Sequence, residues 1–146
     1  LLKFIKEAYS PKIYVVSNQQ GVARKYFDCK RVDEINNIIN NKLIEIGIKI
    51  TGWNYCPDID LAYAKKHPEL NFDRLYVKEK TKRKPSIEMV LELLQKDNLS
   101  LNNFEKIIVL GDAEDDRLLA ENLKGKYIDV KTKDYKWLKD EFLSIM

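Results

Sequence analysis

Three polar stations in this chain stand where local structure could deliver them to one place. Ser17 closes the apolar run Ile13-Tyr14-Val15-Val16, and Lys84 stands in Arg83-Lys84-Pro85. Asp112 follows Ile107-Ile108-Val109-Leu110-Gly111 and opens the cluster Asp112-Ala113-Glu114-Asp115-Asp116. A short apolar run ended by polar residues reads as a buried parallel strand, and open α/β sheets take their ligands at the carboxyl ends of such strands. Carboxylates crowded there repel one another unless a cation sits among them, and hard oxygen donors with no Cys or His nearby favour Mg²⁺. Phosphoryl transfer asks for a hydroxyl to hold a phosphate oxygen, an ammonium against developing charge and a carboxylate to anchor a metal. Each station also has a plain structural reading: a strand-capping Ser, a solvated basic loop, and acids in a first helical turn that complement the dipole. Taken singly, neither kind of reading displaces the other. Their joint order along the chain is what favours the chemistry.

The elements that must position these groups follow from periodicity. Leu1, Leu2, Ile5, Ala8 and Tyr9 recur at helical spacing until Ser10-Pro11, where the missing amide donor stops a helix. Ile13 to Val16 is short and rich in β-branched residues, a strand. From Asp28, an N-cap, the positions Val32, Ile35, Ile38, Ile39, Leu43 and Ile46 trace the core face of a long helix closed by Gly47. Ile48 to Cys56 is a second strand, weakened by Gly52 and ended by Pro57. Residues 57–83 read as a long loop with room for a short ordered piece. Pro85 suits a helix's first turn, with Ile87, Val90, Leu93 and Leu94 on its buried face before Asn98. After the acidic strand, Leu118, Leu119 and Leu123 stripe a helix ending at Lys124-Gly125, and Tyr127 to Val130 is a last strand. Asp134 caps a terminal helix bearing Trp137, Leu138, Phe142 and Ile145. The alternation predicts an α/β fold: three layers, Rossmann-like, a parallel sheet with helices on both faces and right-handed crossovers.

Composition narrows the function classes. A chain of 146 residues, 45% apolar and 34% charged, fits one soluble globular domain. No apolar run approaches the roughly 20 residues that span a bilayer, and no signal-peptide pattern opens the chain, so a cytoplasmic location and no membrane partner are expected. Two cysteines, Cys29 and Cys56, are too few for a disulfide framework and read as reduced thiols. The net charge of +3 suits a small phosphorylated substrate but falls short of a nucleic-acid footprint. The basic run at 78–84 carries no interleaved aromatic residues for stacking bases, so nucleic acid enters only as a substrate. Nothing in the pattern specifies an oligomeric state. The chain opens at Leu1, not Met, and in mid-pattern, so a longer polypeptide is expected.

Four motifs, in this order and spacing, resemble a known family. They are Val15-Val16-Ser17-Asn18-Gln19-Gln20-Gly21-Val22-Ala23-Arg24-Lys25-Tyr26-Phe27, then Tyr55-Cys56-Pro57, then Arg83-Lys84-Pro85 with Met89, then Val109-Leu110-Gly111-Asp112 through Asp116. The chain is similar over almost its whole length to the haloacid-dehalogenase-like phosphatases, in the small branch containing heptose-bisphosphate phosphatase and the histidinol-phosphatase domain. The resemblance implies a Mg²⁺-dependent phosphatase acting on a phosphate monoester of a small sugar or amino-alcohol through an aspartyl-phosphate intermediate. It implies Ser17 as the hydroxyl that binds the transferred phosphoryl group, Lys84 as the active-site cation and Asp112 as the metal ligand. Asp116 would orient Lys84 or a metal-bound water, and Asn18, Gln19, Arg24 and Arg83 would contact or shape the substrate.

Three departures from the pattern qualify this. The family's nucleophile sits in an Asp-x-Asp-Gly-Thr motif on a strand before the helix that opens this chain, and no such motif is present; Asp58-Ile59-Asp60 lacks the Gly-Thr and reads as loop. In the family that strand lies centrally, between those ending at Ser17 and Asp112, so a single but N-terminally incomplete domain spanning 1–146 is expected. Relatives often hold zinc in a Cys/His loop. Here Asp58 replaces the His, and Lys80 and Lys82 stand where the last two Cys would be, which argues against zinc. Finally, Ala113 replaces a common basic residue after the metal ligand. There is no room for a separate cap domain, so the site should be open. An open site keeps polynucleotide 3′-phosphatase activity as a substrate alternative, and the missing nucleophile leaves a catalytically inactive phosphate-binding protein as another. A receiver-like signalling domain is a third, against which the Asn-Gln-x-Gly run and the Arg-Lys-Pro segment count.

Overall fold

The computed structural model describes residues 1–131 and 133–146. Helix α1 spans Leu2–Tyr9 and stops at Ser10, whose left-handed φ of 46° lets its N–H reach Lys6 O at 3.0 Å. Strand β1 (Tyr14–Asn18) follows, and then helix α2 (Cys29–Glu45), whose N-cap Asp28 accepts from Arg31 N at 2.8 Å. Gly47, at φ +79°, turns the chain out of α2 while Ile48 N returns to Leu43 O at 2.8 Å, a Schellman closure that needs a residue tolerant of positive φ. Strand β2 (Gly52–Cys56) pairs in parallel with β1, Ser17 opposite Tyr55 and Asn18 opposite Cys56. Gly52 has a reason in packing: a Cβ there would sit 2.9 Å from Leu93 Cδ2, so its absence lets a later helix lie close on the sheet.

The segment 57–83 is more ordered than a long loop. It contains β3 (Ile59–Asp60), helix α3 (Leu61–Lys66), a 3₁₀ turn at Arg74–Tyr76 and β4 (Val77–Lys78), with β3 and β4 forming a short parallel ladder. Asp58-Ile59-Asp60 is therefore partly strand, anchored by Ile59 at 1% exposure. One buried isoleucine among polar neighbours is too weak a periodic signal to read in advance. Helix α4 (Glu88–Lys96) also differs from expectation, because Pro85 lies outside its first turn. The Lys84–Pro85 peptide is cis, and Ser86 N closes a turn onto Arg83 O at 2.8 Å before the helix begins.

The acidic stretch is β5 (Ile108–Gly111) and α5 (Glu114–Asn122), followed by β6 (Lys126–Asp129) and α6 (Tyr135–Ile145), capped by Asp134 accepting from Trp137 N at 2.8 Å. Strand β6 pairs in parallel with β5, Leu110 opposite Ile128. Alternation along β5 places Ile108 and Leu110 on one face, and with Ile128 they pack against Ile5 of α1 and Phe142 of α6. Helix α5 covers the other face, burying Leu119 and Ala120. Around β1 and β2, α4 lies on the face of Gly52 and Asn54, while Trp53 on the opposite face donates to Asn40 of α2 at 3.2 Å.

Helices on both sides of parallel strands are thus present, but the strands do not form one continuous sheet. Among the described residues they form three separate two-stranded ladders, and none joins β1 to β5. Their apolar residues Val15, Val16, Ile108, Val109 and Leu110 are only half-buried. Helix α2 diverges from expectation in the same sense: Val32 is buried, yet Ile35, Ile38, Ile39 and Ile46 are 42 to 55% exposed. The periodicity identified an apolar face correctly, but periodicity carries no information about what covers it. Trp137, placed on the buried side of the terminal helix, is likewise exposed. No helix among the described residues is long and apolar enough to cross a membrane.

Candidate active site

The site is built where the ends of β1 and β5 meet the segment before α4. At its centre is Lys84 Nζ, 2.6 Å from Asp116 Oδ1, with side-chain exposures of 13% and 9%. Asp116 is the buried charged residue among those described. Its second oxygen, Oδ2, accepts the backbone amides of Asp112 at 3.2 Å and Ala113 at 3.3 Å. Ala113 occupies the N-cap of α5 without an acceptor side chain, so Asp116, three residues on, folds back to satisfy the orphan donors as the acid of a capping box does. Gly111 makes this possible: a Cβ there would land on the Cβ, Cγ and Oδ2 of Asp116. Both oxygens of Asp116 are consequently engaged with protein. Asp112 is left exposed at the strand end, and its carboxylate has no hydrogen-bond partner among the described residues.

Asn18 joins β1 to this group. Its Oδ1 accepts Lys84 N at 2.8 Å, and its Nδ2 donates to Lys84 O at 3.2 Å and to Asp115 Oδ2 at 3.3 Å. Asn122 of α5 adds a bond to Pro85 O at 2.9 Å. Ser17, the preceding residue of β1, accepts from Gln19 Nε2 at 3.2 Å, which occupies a lone pair of its hydroxyl and leaves the proton free to be donated. Ser17, Lys84 and Asp112 therefore stand on three elements that converge through Asn18 and Asp116.

The two arginines stand differently. Arg24 lies in the turn after β1, donating to Tyr63 Oη at 2.8 Å and Gln20 Oε1 at 3.4 Å, and its Nε is buried without a partner. Arg83 likewise has a buried Nη1, and neither nitrogen has a partner among the described residues. Unpartnered buried donors are costly, and a guanidinium is the donor type that carboxylate and phosphate oxygens satisfy. Sequence reasoning did not single out Tyr63 as the group holding Arg24. Tyr63 stacks on His67 with centroids 4.4 Å apart, and nearby Asp73 N donates to Ala23 O at 2.8 Å, so the ordered insertion docks on the turn that carries Arg24. That contact spans a sequence separation no local pattern reveals.

Ion pairs fasten the segment before Lys84. Lys80 meets Glu88 at 3.0 Å and Lys82 meets Glu92 at 2.7 Å, while Asn54 donates to the same Glu92 oxygen at 2.7 Å. Cys56 is fully buried, 4.0 Å from Asp58 O and Oδ2, and burial pushes its thiol up. Burial also raises the Asp58 carboxyl against the lowering pull of Lys78 and Lys82.

Among the described residues no three His, Cys, Asp or Glu side chains gather as a metal-holding group, so the acids at this strand end offer a cation a single free carboxylate, Asp112, in a negative field. Burial raises the Tyr127 phenol, and the carboxylates of Asp129, Asp116 and Asp112 push it further. Mg²⁺ is commonly held by one or two carboxylates together with waters and substrate phosphate oxygens, so an exposed, unpartnered Asp112 in a negative field fits one protein ligand of such an ion.

Comparison with known proteins agrees with this architecture. The model of the polynucleotide kinase 3 phosphatase family matches residues 1–144. A probable D-glycero-D-manno-heptose-1,7-bisphosphate 7-phosphatase of Thermoplasma acidophilum is 27% identical over 113 residues, covering 77% of this chain and 59% of that protein. A D-glycero-beta-D-manno-heptose-1,7-bisphosphate 7-phosphatase of Helicobacter pylori is 25% identical over 116 residues, covering 79% and 56% respectively. The chain thus spans somewhat more than half the length of these relatives. Among solved structures, a D,D-heptose 1.7-bisphosphate phosphatase from B. bronchiseptica, complexed with magnesium and phosphate, superposes with a TM-score of 0.64 at 18% identity, over 96% of this chain and 67% of that one. The chain belongs to the polynucleotide kinase 3 phosphatase family and has a haloacid-dehalogenase-like fold.

Proposed function

We propose that the protein is a Mg²⁺-dependent phosphatase hydrolysing a phosphate monoester of a small sugar or amino-alcohol. The observation that carries this reading is the pair of Lys84 with the buried Asp116 beside the exposed Asp112 carboxylate. Asp116 spends one oxygen on Lys84 and the other on two backbone amides, so it holds the ammonium in place and leaves Asp112 to bind metal. Lys84 keeps two further donors for a phosphoryl oxygen, and Ser17 offers its hydroxyl proton to another. When bound, Mg²⁺ would be held by Asp112 and would neutralise charge on the phosphate. Arg24 and Arg83, both only part-buried, would offer guanidinium donors to a more distant anionic or hydroxyl group of the substrate.

The nucleophile, on this reading, is a carboxylate on a strand seated between β1 and β5. Among the described residues each of those strands is hydrogen-bonded along one edge only, their valines and leucines are half-buried, and bare strand edges are what natural sheets avoid. The carboxylate forms a bond to phosphorus as the P–O bond to the alcohol breaks, giving an acyl phosphate; the departing alkoxide takes a proton from solvent water, and a second water adds to phosphorus, breaking the acyl–O–P bond to return the carboxylate and inorganic phosphate. The domain of 1–146 would then be completed by that strand.

Small substrates are favoured over polynucleotides by the pairing of the basic run. Lys80, Lys82 and Lys84 meet Glu88, Glu92 and Asp116, so three of the run's five cations are paired with carboxylates, which weakens it as a track for a phosphate backbone. The experiment is a panel of sugar phosphates, amino-alcohol phosphates and a 3′-phosphorylated oligonucleotide, assayed for phosphate release with Mg²⁺ and with EDTA. Asp112→Asn should lower Mg²⁺-dependent release by at least about 100-fold, roughly 3 kcal/mol of transition-state stabilisation. Unchanged turnover in that variant would exclude the assignment, release from the oligonucleotide alone would replace the substrate class, and phosphate binding without any turnover would mark an inactive relative.

A further inference from the structure

Asn18 spends its side chain on the protein. Its Oδ1 accepts Lys84 N at 2.8 Å while its Nδ2 donates to Lys84 O at 3.2 Å and to Asp115 Oδ2 at 3.3 Å. The first two bonds treat Lys84 as a neighbouring strand would, pairing both its backbone donor and its acceptor. The third reaches the first turn of α5, across the space where β1 and β5 share no ladder. Both amide protons and one acceptor lone pair are thereby used, which leaves this side chain little capacity for a substrate.

We propose that Asn18 is a positioning residue: it clamps the backbone of Lys84 against the acidic turn so that the lysine is held at both ends. The far end is already fixed, because Nζ lies 2.6 Å from Asp116. A lysine has four side-chain torsions, and an ammonium anchored at Nζ alone still lets the backbone beneath it drift. Displacements of about 1 Å in a positioned group cost about 100-fold in rate, so a backbone clamp acts on catalysis without touching substrate. The clamp also registers the β1 half of the molecule on the β5 half, since Lys84 is tied to β1 by Asn18 and to α5 by Asp116.

The kinetic part of this inference rests on the phosphatase reading; the structural part does not, and two measurements separate them. In the intact protein, the Lys84 amide should be protected from hydrogen exchange, and Asn18→Ala should speed its exchange about 10-fold or more while amides of β2 and β6 keep theirs. Fast exchange at Lys84 in the unaltered protein would overturn the clamp, whether or not any phosphate ester is hydrolysed. With a sugar phosphate turned over by the unaltered protein, Asn18→Ala should lower kcat about 10- to 100-fold with KM changed less than about threefold. In a Lys84→Ala background the same substitution should cost less than about threefold, because the group it positions is gone. An equal loss in both backgrounds, or a loss confined to KM, would overturn the role. Should Asn18→Ala fail to fold, Asn18→Asp replaces it: the acceptor for Lys84 N is kept and the two Nδ2 donors are lost. Protection at Lys84 with a lowered kcat supports the clamp, and kcat equal to that of the unaltered protein overturns it.

Discussion

At the scale of single residues, Gly111 and Asp116 form one unit. The carboxylate lies against the glycine where a Cβ would stand, and from there it reaches Lys84, Asp112 N and Ala113 N together. Gly111→Ala must therefore push the carboxylate out or distort the strand end. Overpacking of this kind costs about 1–3 kcal/mol, and the half-buried ammonium of Lys84 would also lose its partner. The expected outcome is a lower unfolding temperature together with at least a tenfold loss, about 1.4 kcal/mol in the barrier, of Mg²⁺-dependent phosphate release. A variant with unaltered kinetics would show that Lys84 does not depend on this contact. Sequence alone marked Asp116 as an acid of a first helical turn and Gly111 as the end of a strand. It could not tell that one fills the space left by the other.

At the scale of elements, the segment that closes the insertion is organised by alternation. Lys80, Lys82 and Lys84 are two residues apart, and each meets an acid on the following helices, Glu88 and Glu92 of α4 and Asp116 of α5. A run that reads as a solvated basic loop is in this way an extended strap fastened at every second residue. Glu92 shows the electrostatics. Burial would raise its pKa, but the bonds from Lys82 and Asn54 outweigh burial and hold it below the usual glutamate range. An acid depressed in the folded state stabilises the fold above its unfolded pKa, near 4.3, and loses that contribution as pH falls through the lower folded value. Glu92 is about half exposed, so Glu92→Gln should cost only a few tenths to about 1 kcal/mol at neutral pH after solvent screening. Denaturant melts should show that gap closing as pH falls below the usual glutamate value, and narrowing in high salt. A gap independent of both would mean that the strap is held by packing instead.

At the scale of the whole molecule, the helices and ladders fall into a half around β1 and β2 and a half around β5 and β6, tied by polar contacts through Asn18, Lys84, Asp116 and Asn122. The strand faces of β1 and β5 are half-buried, and Ile35, Ile38 and Ile39 of α2 are 42 to 52% exposed, apolar surface that a further element could cover. If a strand completes the sheet between β1 and β5, the 146-residue polypeptide by itself should bind a hydrophobic dye such as ANS and associate on warming. A longer polypeptide bearing that strand should do neither. Monodisperse, dye-silent behaviour of the 146-residue chain would remove the completed-sheet reading.

The order of strands and helices outside residues 57–83, the caps at Asp28 and Asp134 and the Gly47 closure were all determined by sequence, because each rests on spacing within a few residues. Tertiary structure alone decided that Asn18 is consumed by the backbone of Lys84, that Tyr63 holds Arg24, that the insertion contains a ladder, and that α2 leaves its isoleucines bare. The physical reason is range. Periodicity and capping are written in neighbouring residues, whereas a side chain's partner 66 positions away is settled only when the elements pack.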